Sequence, residues 1–122
     1  MNTPYKGKNG LKRIWNALFC SLDGFSAAFT HEDSFRIEVL LALILIPLAL
    51  HTHVSGVGKA LMVASVLLVL VVELLNSAIE AATDRISLDE HVLAKRAKDM
   101  GSAAVMLALI NVPVVWLLVL FS

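Results

Sequence analysis

Charge is scarce in this chain, and what there is cancels. Only 16% of the 122 residues are Asp, Glu, Lys or Arg, and ten acids offset ten bases. A formal net charge of zero excludes a global basic field, and with it nucleic acid as a partner. A single cysteine, Cys20, excludes an internal disulfide and leaves the redox compartment open. No phosphate-cradling glycine loop or nucleotide-binding motif of a soluble kinase is present. No cleavable signal peptide is expected, because the start is polar and the first long apolar run begins only near Val39. What fills the chain instead is apolar: 58% of residues are hydrophobic, and mean hydropathy is +0.80. A soluble domain is near half apolar and a quarter charged. The composition therefore predicts a membrane protein of one domain, residues 1–122.

From Leu11 a helical period appears, with Leu11, Ile14, Trp15, Leu18, Phe19, Leu22, Phe25 and Phe29 recurring at steps of three and four. Lys12, Arg13, Asn16 and Asp23 lie mostly on the other side. This predicts an amphipathic helix over about 10–29 lying in the bilayer interface, with Trp15 at the headgroup level. A core-facing helix of a soluble bundle is the alternative. A polar hinge over 30–38 follows, in which Thr30 or Ser34 is placed to cap a new helix. The apolar run 39–50 is short of the ~20 residues of a span, so a first span over about 34–51 draws on the hinge. Glu32, Arg36 and Glu38 then lie at or just inside one membrane surface, and Pro47 is tolerated inside the span.

After a turn with Gly56 and Gly58, a second span is expected over about 59–82. The charged segment 83–99 lacks Pro and Gly, so the second helix can extend beyond the bilayer before turning. The uncharged stretch 100–122 gives a third span over about 100–121. The expected fold is an all-α membrane protein, a surface helix plus three transmembrane helices. Lys6, Lys8, Lys12, Arg13 and Arg36 precede the first span, and Arg85, Lys95, Arg96 and Lys98 fill the loop after the second. The positive-inside rule puts both regions, and the N-terminus, in the cytoplasm, with the C-terminus outside.

Against this background Glu73 stands out, because it closes an aliphatic run where an ionisable group is costly. At about 100° per residue, Glu73, Asn76, Glu80 and Asp84 share a stripe roughly 80° wide, descending toward the membrane surface. Acids with lysines beside them suit a divalent cation and an anionic ligand: hard cations such as Mg²⁺ take carboxylate oxygens and share a phosphate, and lysine or arginine offsets remaining phosphate charge. Glu80 and Glu32, near the aqueous edge, are the natural metal ligands. Glu73 lies about 10 Å deeper along the axis, and a poorly solvated carboxylate suits a general base. Asn76 is placed to hold Glu73 or a substrate hydroxyl. Bland readings stand beside these. Glu80 and Asp84 can be solvated helix-end acids, Glu32 can pair with Arg36 four residues on, and Lys95, Arg96 and Lys98 can be positive-inside anchors. The small residues Ser77, Ala78, Ala81, Ala82, Gly101, Ala103 and Ala104 read as helix packing.

Residues 72–86, VELLNSAIEAATDRI, followed by 94–104, AKRAKDMGSAA, closely resemble the bacterial integral-membrane diacylglycerol kinase family. The likeness runs from about Gly10 to the end. It implies an ATP-dependent kinase converting diacylglycerol to phosphatidic acid in the bacterial inner membrane, as a homotrimer whose active sites are shared between subunits. By position it implies Glu73 as catalytic base and Glu32 and Glu80 as magnesium ligands. Arg13, Cys20, Glu32, Glu80, Asp89, Glu90, His91, Lys98 and Asp99 match nucleotide-contacting positions, with Asn76 and Asp84 supporting the active site. Lipid contacts fall at Arg13, Leu18, Leu22, Ser26, Phe29, Phe35, Glu38, Glu73 and Ser102. The chain departs from the best-known members at Cys20, where they carry an aromatic residue, and at Asp23, where they carry a lysine. The first departure bears on nucleotide contacts, the second on phosphate or headgroup contacts. Relatives of the same fold phosphorylate undecaprenol, and the core motif does not separate the two substrates. A small proton-coupled multidrug antiporter is a reading of another class, to which three spans and an acid-plus-base cluster at the membrane edge are a poor match. A non-catalytic assembly subunit leaves Glu73, Glu80 and Glu32 unexplained.

Overall fold

In a computed structural model of the protein, residues 10–86 and 92–122 are described. They form four helices, α1 (Gly10–His31), α2 (Asp33–Leu50), α3 (Gly56–Ile86) and α4 (Val92–Leu120), with no strand among the described residues. The chain divides into two compact units, one ending at Asp33 and one beginning at Ser34.

In the first unit, the apolar stripe of α1 is uncovered: Leu11, Ile14, Trp15, Leu18 and Phe19 are all exposed. Trp15 and Phe19, one turn apart, meet edge to face with ring centroids 5.3 Å apart. A helix with so much free apolar surface on one stripe needs an apolar medium beside it. The helix runs past the expected end at 29 to His31, and the Glu32 N–H donates to the Ala28 carbonyl at 2.9 Å. The expected hinge over 30–38 thus shrinks to one non-helical residue, Glu32. Thr30 lies inside α1 and Ser34 inside α2, so neither marks the boundary. Polar residues here do not break the helix. Asp33 in the first turn of α2 instead complements the positive end of the helix dipole.

In the second unit, α2 buries Phe35, Glu38, Ala42 and Ala49, a stripe at helical spacing. Pro47 sits inside α2 without ending it. The chain turns just beyond, where the Thr52 hydroxyl donates to the Ala49 carbonyl at 2.7 Å. Ser55 caps α3: its Oγ accepts from the Gly58 N–H at 3.1 Å, and its carbonyl accepts from the Lys59 N–H at 2.9 Å. α3 has 31 residues, about 46 Å at 1.5 Å per residue, and so outreaches a hydrocarbon core of ~30 Å. Its extension beyond residue 82 is the one expected from the absence of Pro and Gly there. α4 begins at Val92, ahead of the expected third span, because Ala94, Lys95, Ala97 and Lys98 are good helix formers. Pro113 leaves it unbroken.

α3 and α4 form the main helix pair and run antiparallel. At one end Gly58 lies so close to α4 that a Cβ there would stand 2.9 Å from Val119 Cγ1. Further along, the Trp116 indole N–H is shared between the Met62 carbonyl and Ser65 Oγ, each at 3.2 Å. The Ser65 hydroxyl itself donates to the Met62 carbonyl at 2.7 Å, so this buried polar pair is satisfied. Toward the other end, Gly101 and Ala108 are the buried residues of α4, small enough for backbones to approach closely.

α3 and α4 are each long and apolar enough to cross a membrane, with mean hydropathy 2.3 and 2.5 over their most apolar stretches. Only 28% and 6% of those stretches are buried within the chain. The remaining aliphatic surface, such as Leu107, Leu117 and Leu118, points outward, and a patch of that size calls for a partner or a lipid phase. α2, with 18 residues, carries Asp33, Arg36 and Glu38 at its start.

Candidate active site

The direction of the acidic stripe follows from the packing of α3. Met62, Val66, Val69 and Glu73 are buried in steps of three and four along one face, with Ser65 buried beside them. Asn76 and Glu80 continue the same steps and are half-buried. The stripe is therefore the polar end of the face that α3 turns toward its neighbours. Glu73 is only 5% exposed. Its carboxyl group lies beside that of Glu38, which is 9% exposed on the buried stripe of α2. Glu38 Oε2 is buried and has no hydrogen-bond partner.

One turn on, the Asn76 side chain lies against Gly101 of α4. A Cβ at Gly101 would collide with Asn76 Oδ1 and stand 3.2 Å from its Cγ. Asn76 Oδ1 is itself buried without a hydrogen-bond partner. The site thus contains two orphaned acceptors, Glu38 Oε2 and Asn76 Oδ1, beside one buried carboxyl. Buried acceptors left unpaired are costly, and a ligand bearing hydroxyl or amine donors would satisfy them.

Past Asn76 the stripe becomes wet. The Thr83 hydroxyl donates to the Glu80 carbonyl at 3.1 Å. Asp84 Oδ1 and Lys98 Nζ pair at 2.5 Å, tying the polar ends of α3 and α4. The hydrogen bond and charge of Asp84, with the charge of Glu80, hold the Lys98 ammonium above the ordinary lysine range. Both partners are largely exposed, so the pair contributes little to stability. Its consequence is a cation held at the polar ends of α3 and α4, on the wet side of Asn76.

The other expected site residues divide by unit. Arg13, Cys20, Leu18, Leu22, Ser26 and Phe29 are exposed on α1, and Glu32 is half-buried after it, all in the first unit. In the second, Phe35 is buried at 3% exposure, Ser102 is exposed, and Asp99 pairs with Lys95 of its own helix at 2.7 Å. Asp89, Glu90 and His91 lie outside the described residues. Two relationships escaped the sequence reading: the pairing of Glu38 with Glu73, and the fit of Asn76 to Gly101. The first had a signal, since Glu38 sits at helical spacing from Phe35 and Ala42. The second had none, because small residues crowd both helices.

As for a metal, no group of three or more His, Cys, Asp or Glu poised to hold one occurs among the described residues. What they offer is single hard-oxygen donors, notably the half-buried Glu80 beside Lys98. That chemistry fits Mg²⁺, which uses one or two carboxylates and lets water and phosphate oxygens complete its shell.

Comparison with known proteins places this arrangement. The sequence profile of the prokaryotic diacylglycerol kinase family matches residues 19–120. A protein of Pseudomonas aeruginosa named diacylglycerol kinase is 56% identical over 120 residues, covering 98% of each chain. Proteins of the same name from Haemophilus influenzae and Escherichia coli K12 are 47% and 43% identical, covering 92% and 93% of this chain and 95% and 93% of their own. The buried Glu73 with its neighbours Asn76 and Glu80 lies well inside the matched region, and the chain belongs to the prokaryotic diacylglycerol kinase family.

Proposed function

We propose that this protein is a membrane lipid kinase that transfers the terminal phosphoryl group of ATP to the free hydroxyl of diacylglycerol, giving phosphatidic acid. The observation that carries the reading is Glu73, a buried carboxyl that follows the buried aliphatic residues Val66 and Val69 on one helix face. An ionisable group so placed is costly unless it has a task, and the family's name supplies one. In this reading Glu73 takes the proton of the lipid hydroxyl. The hydroxyl oxygen bonds to the terminal phosphorus, the bond from that phosphorus to the bridging oxygen breaks, and its electron pair leaves with ADP. Asn76 orients Glu73 or the hydroxyl. Lys98 offsets phosphate charge, and Arg13, Cys20, Asp89, Glu90, His91 and Asp99 contribute further nucleotide contacts. Glu80 and Glu32 would hold Mg²⁺, which when bound neutralises phosphate charge. Such a reaction is mostly positioning plus electrostatics. The lipid enters from the bilayer, along Leu18, Leu22, Ser26, Phe29, Phe35 and Ser102, while ATP comes from water. The same reading makes the chain a homotrimer of three-span subunits in the bacterial inner membrane, its shared sites at the cytoplasmic face.

Purified protein in mixed micelles, given Mg-ATP with diacylglycerol and undecaprenol side by side, tests it. Phosphorylated diacylglycerol is the expected product, and undecaprenol alone as acceptor would reassign the substrate. Transfer to neither would sink the kinase reading and return the antiporter to the front. In the same assay Glu80→Gln raises the magnesium concentration for half-maximal rate by at least about tenfold, since even outer-shell partners of a metal cause losses of that size. An unchanged magnesium requirement would remove Glu80 from the ligand set.

A further inference from the structure

The ion pair that bridges the polar ends of α3 and α4 engages the very lysine that the kinase reading gives to phosphate. Lys98 Nζ donates to Asp84 Oδ1 at 2.5 Å. Glu80, one turn before Asp84, lies near enough for its charge to act on the same ammonium. The neighbouring cations are occupied or turned aside. Lys95 donates to Asp99 at 2.7 Å. Arg96 stands about 160° round α4 from Lys98, and Arg85 about 100° round α3 from Asp84. Among the described residues, this face therefore sets two carboxylates, Glu80 and Asp84, against one lysine.

An excess of one carboxylate repels a polyanion and attracts a cation. A phosphate oxygen reaches Lys98 only against the field of Glu80 and in competition with Asp84. A nucleotide that carries a divalent cation arrives with less net charge and with a partner for Glu80, so its phosphate can replace Asp84 at Lys98. We propose that Asp84 is a specificity-determining residue, a built-in counterion that occupies Lys98 until a metal-bearing nucleotide displaces it, and so makes the site refuse metal-free ATP.

The inference rests on the lipid-kinase reading and adds to it a selection between two forms of the nucleotide. A pair kept for stability alone is a poor alternative. The Lys98 side chain is 43% exposed and that of Asp84 64%, and pairs so exposed contribute little to folding. The same exposure keeps exchange open, because a weak pair in contact with water yields to a multiply charged phosphate.

The test is equilibrium dialysis of radiolabelled ATP, in Mg²⁺ or in EDTA, against the full-length protein in phosphatidylcholine nanodiscs. Wild type should bind Mg-ATP more tightly than metal-free ATP. Asp84→Asn keeps the size and polarity of the side chain and drops its charge. It should tighten metal-free ATP at least about threefold, the scale of one exposed charge pair, and change Mg-ATP by less, so that the ratio narrows. Asp84→Ser, a second neutral variant, should narrow it too, whereas Asp84→Glu, which keeps the charge, should preserve the wild-type ratio. The gain in Asp84→Asn should shrink as salt is raised toward 1 M, where the Debye length falls to about 3 Å. It should shrink again in a Lys98→Gln background, because the freed lysine is what the phosphate meets. Neutral variants that leave the ratio unchanged, or weaken both forms of ATP alike, would overturn the proposal. So would a gain that survives Lys98→Gln undiminished. Wild type that binds no Mg-ATP would take the kinase reading down as well, whereas firm Mg-ATP binding with an unchanged ratio rejects the role of Asp84 alone.

Discussion

Glu73→Gln is expected to lower the rate of phosphoryl transfer by at least about a hundredfold, the lower bound of what a general base contributes, with Mg-ATP binding nearly intact. Gln is isosteric with Glu, and its amide can still donate to the Glu38 carboxyl that Glu73 now contacts. The buried site therefore stays hydrogen-bonded, and unfolding in detergent should shift little. What disappears is the capacity to take a proton, because an amide does not act as a base near neutral pH. Rates from single-turnover assays, with nucleotide affinity measured separately, tell the two apart: the loss belongs in the chemical step and not in binding. A variant within a few-fold of wild type would strip Glu73 of its role as base. A variant that loses nucleotide affinity by the same factor as rate would make Glu73 part of the nucleotide site instead. Glu38→Gln is the informative neighbour, since it keeps the shape of the pair while removing one of its two carboxyl groups.

How much of this was legible in the chain varies with the kind of feature. The period of α1 showed in its aromatic and leucine spacing, and the extension of α3 beyond residue 82 followed from a run free of Pro and Gly. The break between α1 and α2 did not show. Asp33, Arg36 and Glu38 look like loop residues by polarity, yet all three are compatible with helix, and the break needs only Glu32. α4 likewise begins before the expected third span: charge at 95–99 looks like loop, but propensity favours helix. At the site, spacing grouped Glu73, Asn76 and Glu80 on one stripe but left open which way it faces. α3 is aliphatic on its outward face as well as its inward one, with Leu67, Leu68 and Val71 exposed and Met62, Val66 and Val69 buried. Hydrophobicity cannot separate a lipid-facing from a helix-facing side in such a helix. The separation comes from α4, whose Gly101 and Ala108 select the face that can approach.

The contact between Asn76 and Gly101 gives a second large effect, one that separates folding from chemistry. Gly101→Ala adds a methyl group where Asn76 Oδ1 already sits. Either the carboxamide swings away or α3 and α4 part, and overpacking of this kind typically costs about 1–3 kcal/mol. Parting would also strain the Asp84–Lys98 pair further along the two helices. The variant should therefore unfold at lower denaturant concentration and lose most turnover. Asn76→Ala empties the space the new methyl group needs and removes the unpartnered acceptor. Alone it should be near wild type in stability and strongly impaired in turnover, because the group that orients Glu73 or the hydroxyl is gone. In the double variant Asn76→Ala with Gly101→Ala, most of the stability lost in Gly101→Ala should return. A coupling of about 1 kcal/mol or more is expected, well above the ~0.5 kcal/mol scatter of independent sites. Turnover should stay at the level of Asn76→Ala. Additive stabilities would mean that the carboxamide yields freely to the added methyl group, and Gly101 would then matter to neither. Recovered turnover alongside recovered stability would mean that Asn76 only spaces the helices, leaving Glu38 as the one buried side chain that steadies Glu73.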